Sequence, residues 1–167
     1  MRNMENRLQE TGCRLLWKEA FADSDEFIGY FMKSIYSCEN MLYIEENGRV
    51  ISMLHIVPFT YNGHDAGYIY AVATASEERG KGLASMLLKR AIEVSRKKGL
   101  TALFTIPASE GLRTFYSKFG FTGRHPVEFI TKEDFDFGTG DKNKDIASVL
   151  FFNNCTVKND CKIVLKR

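Results

Sequence analysis

Residues 67–99 read GYIYAVATASEERGKGLASMLLKRAIEVSRKKG, and this stretch decides the fold. Tyr68 to Thr74 is aromatic, β-branched and small, with no charge, the composition of a buried strand. Arg79-Gly80-Lys81-Gly82 follows, and its two glycines let the backbone turn sharply and come close to a ligand. From Leu83 to Lys98, apolar residues at 84, 87, 88, 91 and 94 make one helical stripe. Arg96, Lys97 and Lys98 crowd the last turn, where positive charge suits the helix dipole, and Gly99 is a good residue to end on. The helix therefore starts at the glycines. Its leading N–H groups point back into the turn and make an anion site suited to phosphates.

The rest of the chain sets bounds on what surrounds this unit. Its 167 residues suit one domain, 1–167, with a sizeable core. An apolar share of 44% and a charged share of 26% are those of a soluble globular protein. The 23 basic residues are nearly balanced by 21 acidic ones, which argues against a nucleic-acid partner. Cys13, Cys38, Cys155 and Cys161 show no C-x-x-C spacing, and reduced thiols in a cytoplasmic protein are the default reading, with a Cys155–Cys161 disulfide as the alternative. The opening MRNMENRLQE is too polar for a signal peptide, and no apolar run approaches the ~20 residues of a membrane span. His55, His64 and His125 are too scattered for a metal site, so none is expected.

Taken in order, Met4 to Phe21 reads as a helix with Leu8, Leu15, Leu16 and Phe21 as its apolar residues and Trp17 as its anchor on the core. Ser24 or Asp23 caps a second helix, which carries Phe27, Ile28, Phe31, Met32 and Ile35 inward. Met41 to Glu45 is a strand, Asn47-Gly48 a hairpin turn, and Val50 to Phe59 a second strand that Pro58 ends or bulges. A turn over Tyr61 to Asp65 leads to the strand from Tyr68, completing an antiparallel meander. Thr101 to Ile106 is a short strand that returns beside Tyr68 by a right-handed crossover. Ser109 caps the next helix, which runs to about Lys118, and Gly120 stops it. His125 to Ile130 is extended, and Thr131 to Gly140 is a loop or short helix ahead of Asp141 and Lys142. Val149–Phe152 and Lys162–Leu165 are the last strands. A C-terminal strand at the sheet edge can pair with a second copy, giving a homodimer.

The turn itself excludes two phosphate-binding alternatives. It lacks the P-loop spacing G-x-x-x-x-G-K-[ST] and the dinucleotide fingerprint G-x-G-x-x-G. What it contains is R-x-x-G-x-A, at Arg79, Gly82 and Ala84. In this the chain resembles the GNAT superfamily of N-acetyltransferases, whose acyl-CoA motif is [QR]-x-x-G-x-[GA]. Two further features carry the resemblance: the strand Ala71-Val72-Ala73-Thr74 at the family's distance from the motif, and Tyr116-Ser117-Lys118-Phe119-Gly120-Phe121, which is similar to the family's Y-x-x-x-G-F. It covers about residues 66–121.

The resemblance implies a single-domain α+β fold of mixed α/β content, with a central, mostly antiparallel mixed sheet flanked by helices. It implies acetyl-CoA as co-substrate, its pyrophosphate on Arg79, Gly80, Lys81, Gly82, Leu83, Ala84 and Ser85 and its pantetheine arm along Val72, Ala73 and Thr74. It implies that an amine, of a small molecule or a peptide, attacks the thioester directly through a tetrahedral intermediate, and that Tyr116 serves the leaving thiolate. A phenol of pKa ~10 protonating a thiolate of pKa ~8.5 works uphill by roughly 2 kcal/mol, so Tyr116 acts mainly by donating a hydrogen bond. A backbone N–H near Val72 or Ala73 would stabilise the oxyanion. The family often has Asn where Ser109 stands here, and Ser109 has a shorter reach. The strand from Tyr68 to Thr74 holds no Asp or Glu to act as base; His55, Glu128, Glu45 and His125 are the side-chain candidates. The alternative readings are a coenzyme A-binding module without transfer, used in regulation or assembly, and a partner-binding protein without coenzyme.

Overall fold

A computed structural model describes residues 4–141, 144–152 and 161–167 of the chain. The elements are helices α1 (Met4–Phe21), α2 (Asp25–Ser34), α3 (Leu83–Lys97) and α4 (Glu110–Ser117), and strands β1 (Met41–Glu46), β2 (Arg49–Tyr61), β3 (His64–Thr74), β4 (Ala102–Thr105), β5 (Thr122–Ile130), β6 (Ile146–Phe151) and β7 (Ile163–Lys166). The strands form one mixed sheet in the order β1-β2-β3-β4-β6-β5-β7, and β7 also pairs with β2. Residues 4–57 with 70–91 form one compact unit, and residues 58–69 with 92–167 a second; β2, β3 and α3 run through both.

The first unit is built around Trp17. Its ring lies 4.8 Å from Phe31, 5.7 Å from His55 and 5.8 Å from Tyr70, and its indole N–H donates to Asp23 Oδ2 at 2.8 Å. The inward face of α1 is Cys13, Leu16 and Trp17, an i, i+3, i+4 set, whereas Leu8 is 70% exposed and Leu15 68%. Trp17 anchors the helix as expected, and of the four other apolar residues Leu16 packs inward while Leu8, Leu15 and Phe21 do not. The reason lies at Gly12, where a Cβ would come within 2.6 Å of Val50 Cγ2: only a bare backbone lets that side of the helix close on β2. In α2, Ser24 caps the helix by accepting from the Phe27 N–H at 3.1 Å, and Ile28, Phe31 and Met32 are buried as the spacing requires.

Both hairpins turn on Asn-Gly. Asn47 and Gly48 have φ of 51° and 76°, Asn62 and Gly63 of 50° and 77°, the left-handed pair that suits a two-residue connection. The second turn is tighter than the sequence suggested, so β3 begins at His64 and β2 continues through Pro58 to Tyr61. Pro58 is tolerated because of where it falls in the register. Pairing with β1 ends at His55 opposite Met41, pairing with β7 begins at Thr60 opposite Lys166, and the missing N–H lies between.

In the second unit β3 and β4 run parallel, Ala66 opposite Ala102 and Tyr68 opposite Phe104, as the crossover through α3 demands. β6 lies antiparallel to β4 and β5, and β7 pairs in parallel with β5 and antiparallel with the end of β2. The strands of this unit thus close on themselves, and over these residues β7 is paired within the chain on both sides. Residues 131–140 form a loop with no helix. That loop folds Phe137 into a cluster with Phe59, Tyr68 and Phe129, and the Tyr68 hydroxyl donates to the Phe137 carbonyl at 3.1 Å. Lys142 and Cys155 lie outside the described residues, and with Cys155 the Cys155–Cys161 pairing; among the described residues Cys13, Cys38 and Cys161 form no disulfide with one another.

Leu165 on β7 is fully buried. Leu165→Ala is expected to destabilise the protein by about 2–5 kcal/mol, read from the urea midpoint, whereas Leu15→Ala on the exposed side of α1 should cost well under 1 kcal/mol.

Candidate functional site

The turn between β3 and α3 is held from both directions. On β3, Ala71 has φ of 49°, a left-handed kink in a residue that is not glycine. Beyond it, Ser52 Oγ donates to the Ala73 carbonyl at 3.2 Å and lies 2.9 Å from Thr74 Oγ1, while Arg79 Nε donates to the Thr74 carbonyl at 3.3 Å. The buried Ala75 gives its N–H to the Ile51 carbonyl at 2.9 Å. A single helical turn over Ser76–Glu78 follows, and Arg49 braces it. One arm of its guanidinium reaches Glu77 and the other lies 3.0 Å from Glu19 on α1; Glu19 in turn accepts from the Ser76 N–H at 3.2 Å. The Glu77 backbone N–H, Arg49 and the Ser76 hydroxyl together draw the Glu77 carboxyl down to about 2.

Arg79 then leads into Gly80 and Gly82, each at φ of 81° with no atom of the described residues within 4 Å of where a Cβ would sit. The left-handed backbone requires glycine, and the space beside it is open. The first intrahelical bond of α3 runs from the Met86 N–H to the Gly82 carbonyl at 3.0 Å. The N–H groups of Leu83, Ala84 and Ser85 thus precede that bond and face out of the helix end, where the dipole favours an anion. Lys81 pairs with Glu78 at 2.7 Å, which raises its pKa and offsets part of its charge. This is a loop that can cradle a phosphate through backbone amides, with Arg79 exposed at its rim.

Tyr116 sits on α4 in the second unit and is 6% exposed. Burial raises its pKa, against a hydrogen bond from Thr105 on β4. It is therefore held as a neutral phenol, a hydrogen-bond donor. Its carbonyl accepts from both Phe119 at 3.0 Å and Phe121 at 3.3 Å, which closes the helix. Gly120 (φ 91°) and the fully buried Phe121 serve that closure, since a Cβ on Gly120 would meet Leu150 at 3.0 Å. Ser109 caps α4, accepting from the Leu112 N–H at 3.2 Å.

The candidate bases fall in unlike settings. His55 is 3% exposed among Trp17, Phe31 and Tyr36, its Nε2 has no hydrogen-bond partner among the described residues, and burial lowers its pKa to about 3. Such an imidazole is neutral at ordinary pH and a poor proton acceptor. Glu128 is half-exposed and pairs with Lys162 at 2.5 Å, Glu45 is exposed, and His125 is buried on β5. Three features had no sequence signal: the Ala71 kink, the Arg49 brace between residues nearly thirty positions apart, and the Thr105 bond to Tyr116. Among the described residues no three His, Cys, Asp or Glu side chains are placed to hold a metal, and no helix is long and apolar enough to cross a membrane.

Residues 6–123 match the family described as acetyltransferase (GNAT) domain. The chain belongs to the GNAT acetyltransferase family. A comparison with curated proteins finds no match. Among solved structures, the fold is similar to the GNAT family N-acetyltransferase YhbS from Escherichia coli in complex with CoA, with a TM-score of 0.65 at 18% identity, over 94% of this chain and 83% of that one. It is similar also to a GNAT family acetyltransferase from Brucella melitensis in complex with acetyl-CoA, with a TM-score of 0.61 at 15% identity, over 91% and 87%. A GCN5-related N-acetyltransferase from Anabaena variabilis matches at 23% identity and a TM-score of 0.57, over 75% of this chain but only 31% of that larger one.

The buried His55 makes stability depend on pH. Its folded pKa of about 3 lies below the ordinary 6.5, so its contribution is full above the ordinary value and is lost as pH falls toward the folded one. Between about pH 7 and about pH 4.5 the loss from this group should be ~3 kcal/mol, measured by urea unfolding, and His55→Leu should flatten that slope.

Proposed function

We propose that the chain transfers the acetyl group of acetyl-CoA to the primary amine of a small molecule or peptide. The observation that carries this reading is the Arg79–Ser85 turn. It has two left-handed glycines with open space beside them, an arginine at the rim, and the N-terminus of α3 behind. Membership of an acetyltransferase family supports acyl transfer, and the relatives solved with CoA and acetyl-CoA support that co-substrate.

In this reading the amides of Leu83, Ala84 and Ser85, with Gly80 and Gly82 giving close approach, hold the pyrophosphate. Arg79 and Lys81 add positive charge. The backbone of Val72, Ala73 and Thr74 follows the pantetheine arm, and one of its N–H groups steadies the developing oxyanion. The co-substrate supplies the activated acetyl thioester. Tyr116 keeps its proton and directs its O–H at the sulfur as charge builds there, the role that its raised pKa favours over full transfer. His55, neutral and enclosed, takes no part in deprotonating the amine, and on this reading water carries that proton.

The same observation about His55 favours a second reading, a coenzyme-binding module without transfer. Release of free thiol from acetyl-CoA across a broad panel of amines separates the two: amine-dependent release supports the enzyme, and tight binding without release supports the module. Two variants test the residues. Gly82→Ala should weaken coenzyme A binding by ~10-fold or more, because the left-handed backbone is lost. Tyr116→Phe should lower kcat by ~10²-fold while coenzyme A binding changes little, and an unchanged kcat would remove Tyr116 from the mechanism.

A further inference from the structure

Helix α4 is only 8 residues long, too short to hold itself in water, so its place on the sheet comes from what its inner face touches. That face carries little apolar surface. Tyr116 is the buried residue of the helix, and three positions before it, on the same face, stands Arg113, its side chain only 15% exposed. An aliphatic residue there would give contact without direction, because apolar attraction is non-directional. An arginine gives a planar fork of donors at fixed angles.

Both prongs of that fork are used on β6. Arg113 Nη1 donates to Ser148 Oγ at 2.8 Å, and Nη2 donates to the Ile146 carbonyl at 3.1 Å. Nε stands 3.5 Å from Glu110 Oε1 on the helix itself. Ser148 is fully buried. The register of the sheet gives these bonds their meaning. Ser148 lies directly opposite Thr105 in the β4–β6 ladder, so the two side chains share one face of the sheet, and Thr105 is the residue that bonds the Tyr116 hydroxyl. β4 ends at Thr105, and Ile146 lies beyond that level on β6. One cross-strand pair therefore meets α4 at two places, Thr105 at the phenol and Ser148 at the guanidinium, and the Ile146 carbonyl adds a third. A single bond at the phenol would leave the short helix free to rock about it; three bonds fix its tilt. Thr105, Arg113, Tyr116, Ile146 and Ser148 all belong to the second unit.

We propose that Arg113 is a positioning residue for the reaction: through Ser148 and Ile146 it sets the tilt of α4, and with it the direction of the Tyr116 hydroxyl. The inference rests on the reading of Tyr116 as hydrogen-bond donor to the leaving sulfur. Thr105 donates to the phenol oxygen, which leaves the phenol's own proton for another acceptor. Where that proton points depends on how the helix carries the ring. A misplacement of order 1 Å near the reacting atoms can cost up to ~10² in rate. Arg113 acts through Tyr116 and not on the co-substrate.

The test uses the full chain, isotope-labelled at tyrosine Cζ and followed by NMR, with the Tyr116 signal assigned from Tyr116→Phe. At neutral pH that carbon reports the hydrogen bonding of its own oxygen, and it does so without acetyl transfer. The signal should shift in Arg113→Met and in Ser148→Ala, and less in Arg113→Lys, which keeps a donor for β6. In kinetics, Arg113→Met should lower kcat ~10-fold while the Kd of coenzyme A changes by less than ~2-fold. In the Tyr116→Phe background the same substitution should lower kcat no further. Urea midpoints check that each variant is folded. A merely structural role would lower the midpoint but leave the Cζ signal and the kcat of the folded protein as they were. A Cζ signal unmoved in both Arg113→Met and Ser148→Ala, a kcat unchanged in Arg113→Met, or an equal fall in kcat in both backgrounds would overturn the proposal. A Cζ shift together with an unchanged kcat in Tyr116→Phe would put the failure in the role given to Tyr116, and not in the way Arg113 holds it.

Discussion

The connection from β3 to α3 can be made only by a backbone that is left-handed twice, at Gly80 and again at Gly82. Everything nearby follows from that constraint. The helix cannot begin before Leu83, so its free amides stand at the end of the turn. The residues leading in must arrive at a fixed angle, and Arg49, Glu19 and Ser76 tie them down while Arg79 clasps the Thr74 carbonyl. An exposed ion pair alone contributes little. These contacts act together on one short turn, and holding it in place ahead of any ligand lowers the ordering cost of binding.

The proposed roles of the Arg79–Ser85 turn and of Tyr116 rest on different physics. On the proposed reading, the Arg79–Ser85 turn would hold phosphate through backbone amides and would need its glycines more than any particular charged side chain. Tyr116 works through its environment. A phenol already keeps its proton near neutral pH; burial on α4 raises its pKa further, and a hydrogen bond from Thr105 orients the hydroxyl. A donor that does not ionise suits the task of meeting charge that forms late in a reaction, since it need not reorganise when the charge appears.

Much of this was legible in the sequence because local rules decide it. Asn47-Gly48 announces its hairpin, Ser24 and Ser109 announce their caps, and R-x-x-G-x-A announces the turn. The stripe of α3 and the return of β4 beside Tyr68 follow from periodicity and the handedness of crossovers. What could not be read was set by contacts far apart along the chain. Which of the apolar residues of α1 beside Trp17 face inward could not be read, because leucine is a good helix former on either side, and the small Gly12, not Leu8 or Leu15, marks the buried face. The persistence of β2 through Pro58 depends on where two other strands stop and start. Ala71 gives no hint of its kink, since alanine is ordinarily right-handed or extended.

β7 has a further consequence, for the order in which the chain folds. Thr60 and Lys166 touch across 106 positions of sequence, and the same short strand also completes the pairing of β5. Contacts so remote in sequence close late, after nearer ones have shortened the intervening loop. During synthesis the hairpins of β1, β2 and β3 can form as they emerge, but the free side of β2 at Thr60 and Tyr61 must wait for residues 163–166. Until then two strand edges stand open to any extended segment nearby. The arrival of residues 163–166 therefore governs both the closure of these strands and their protection from misassembly.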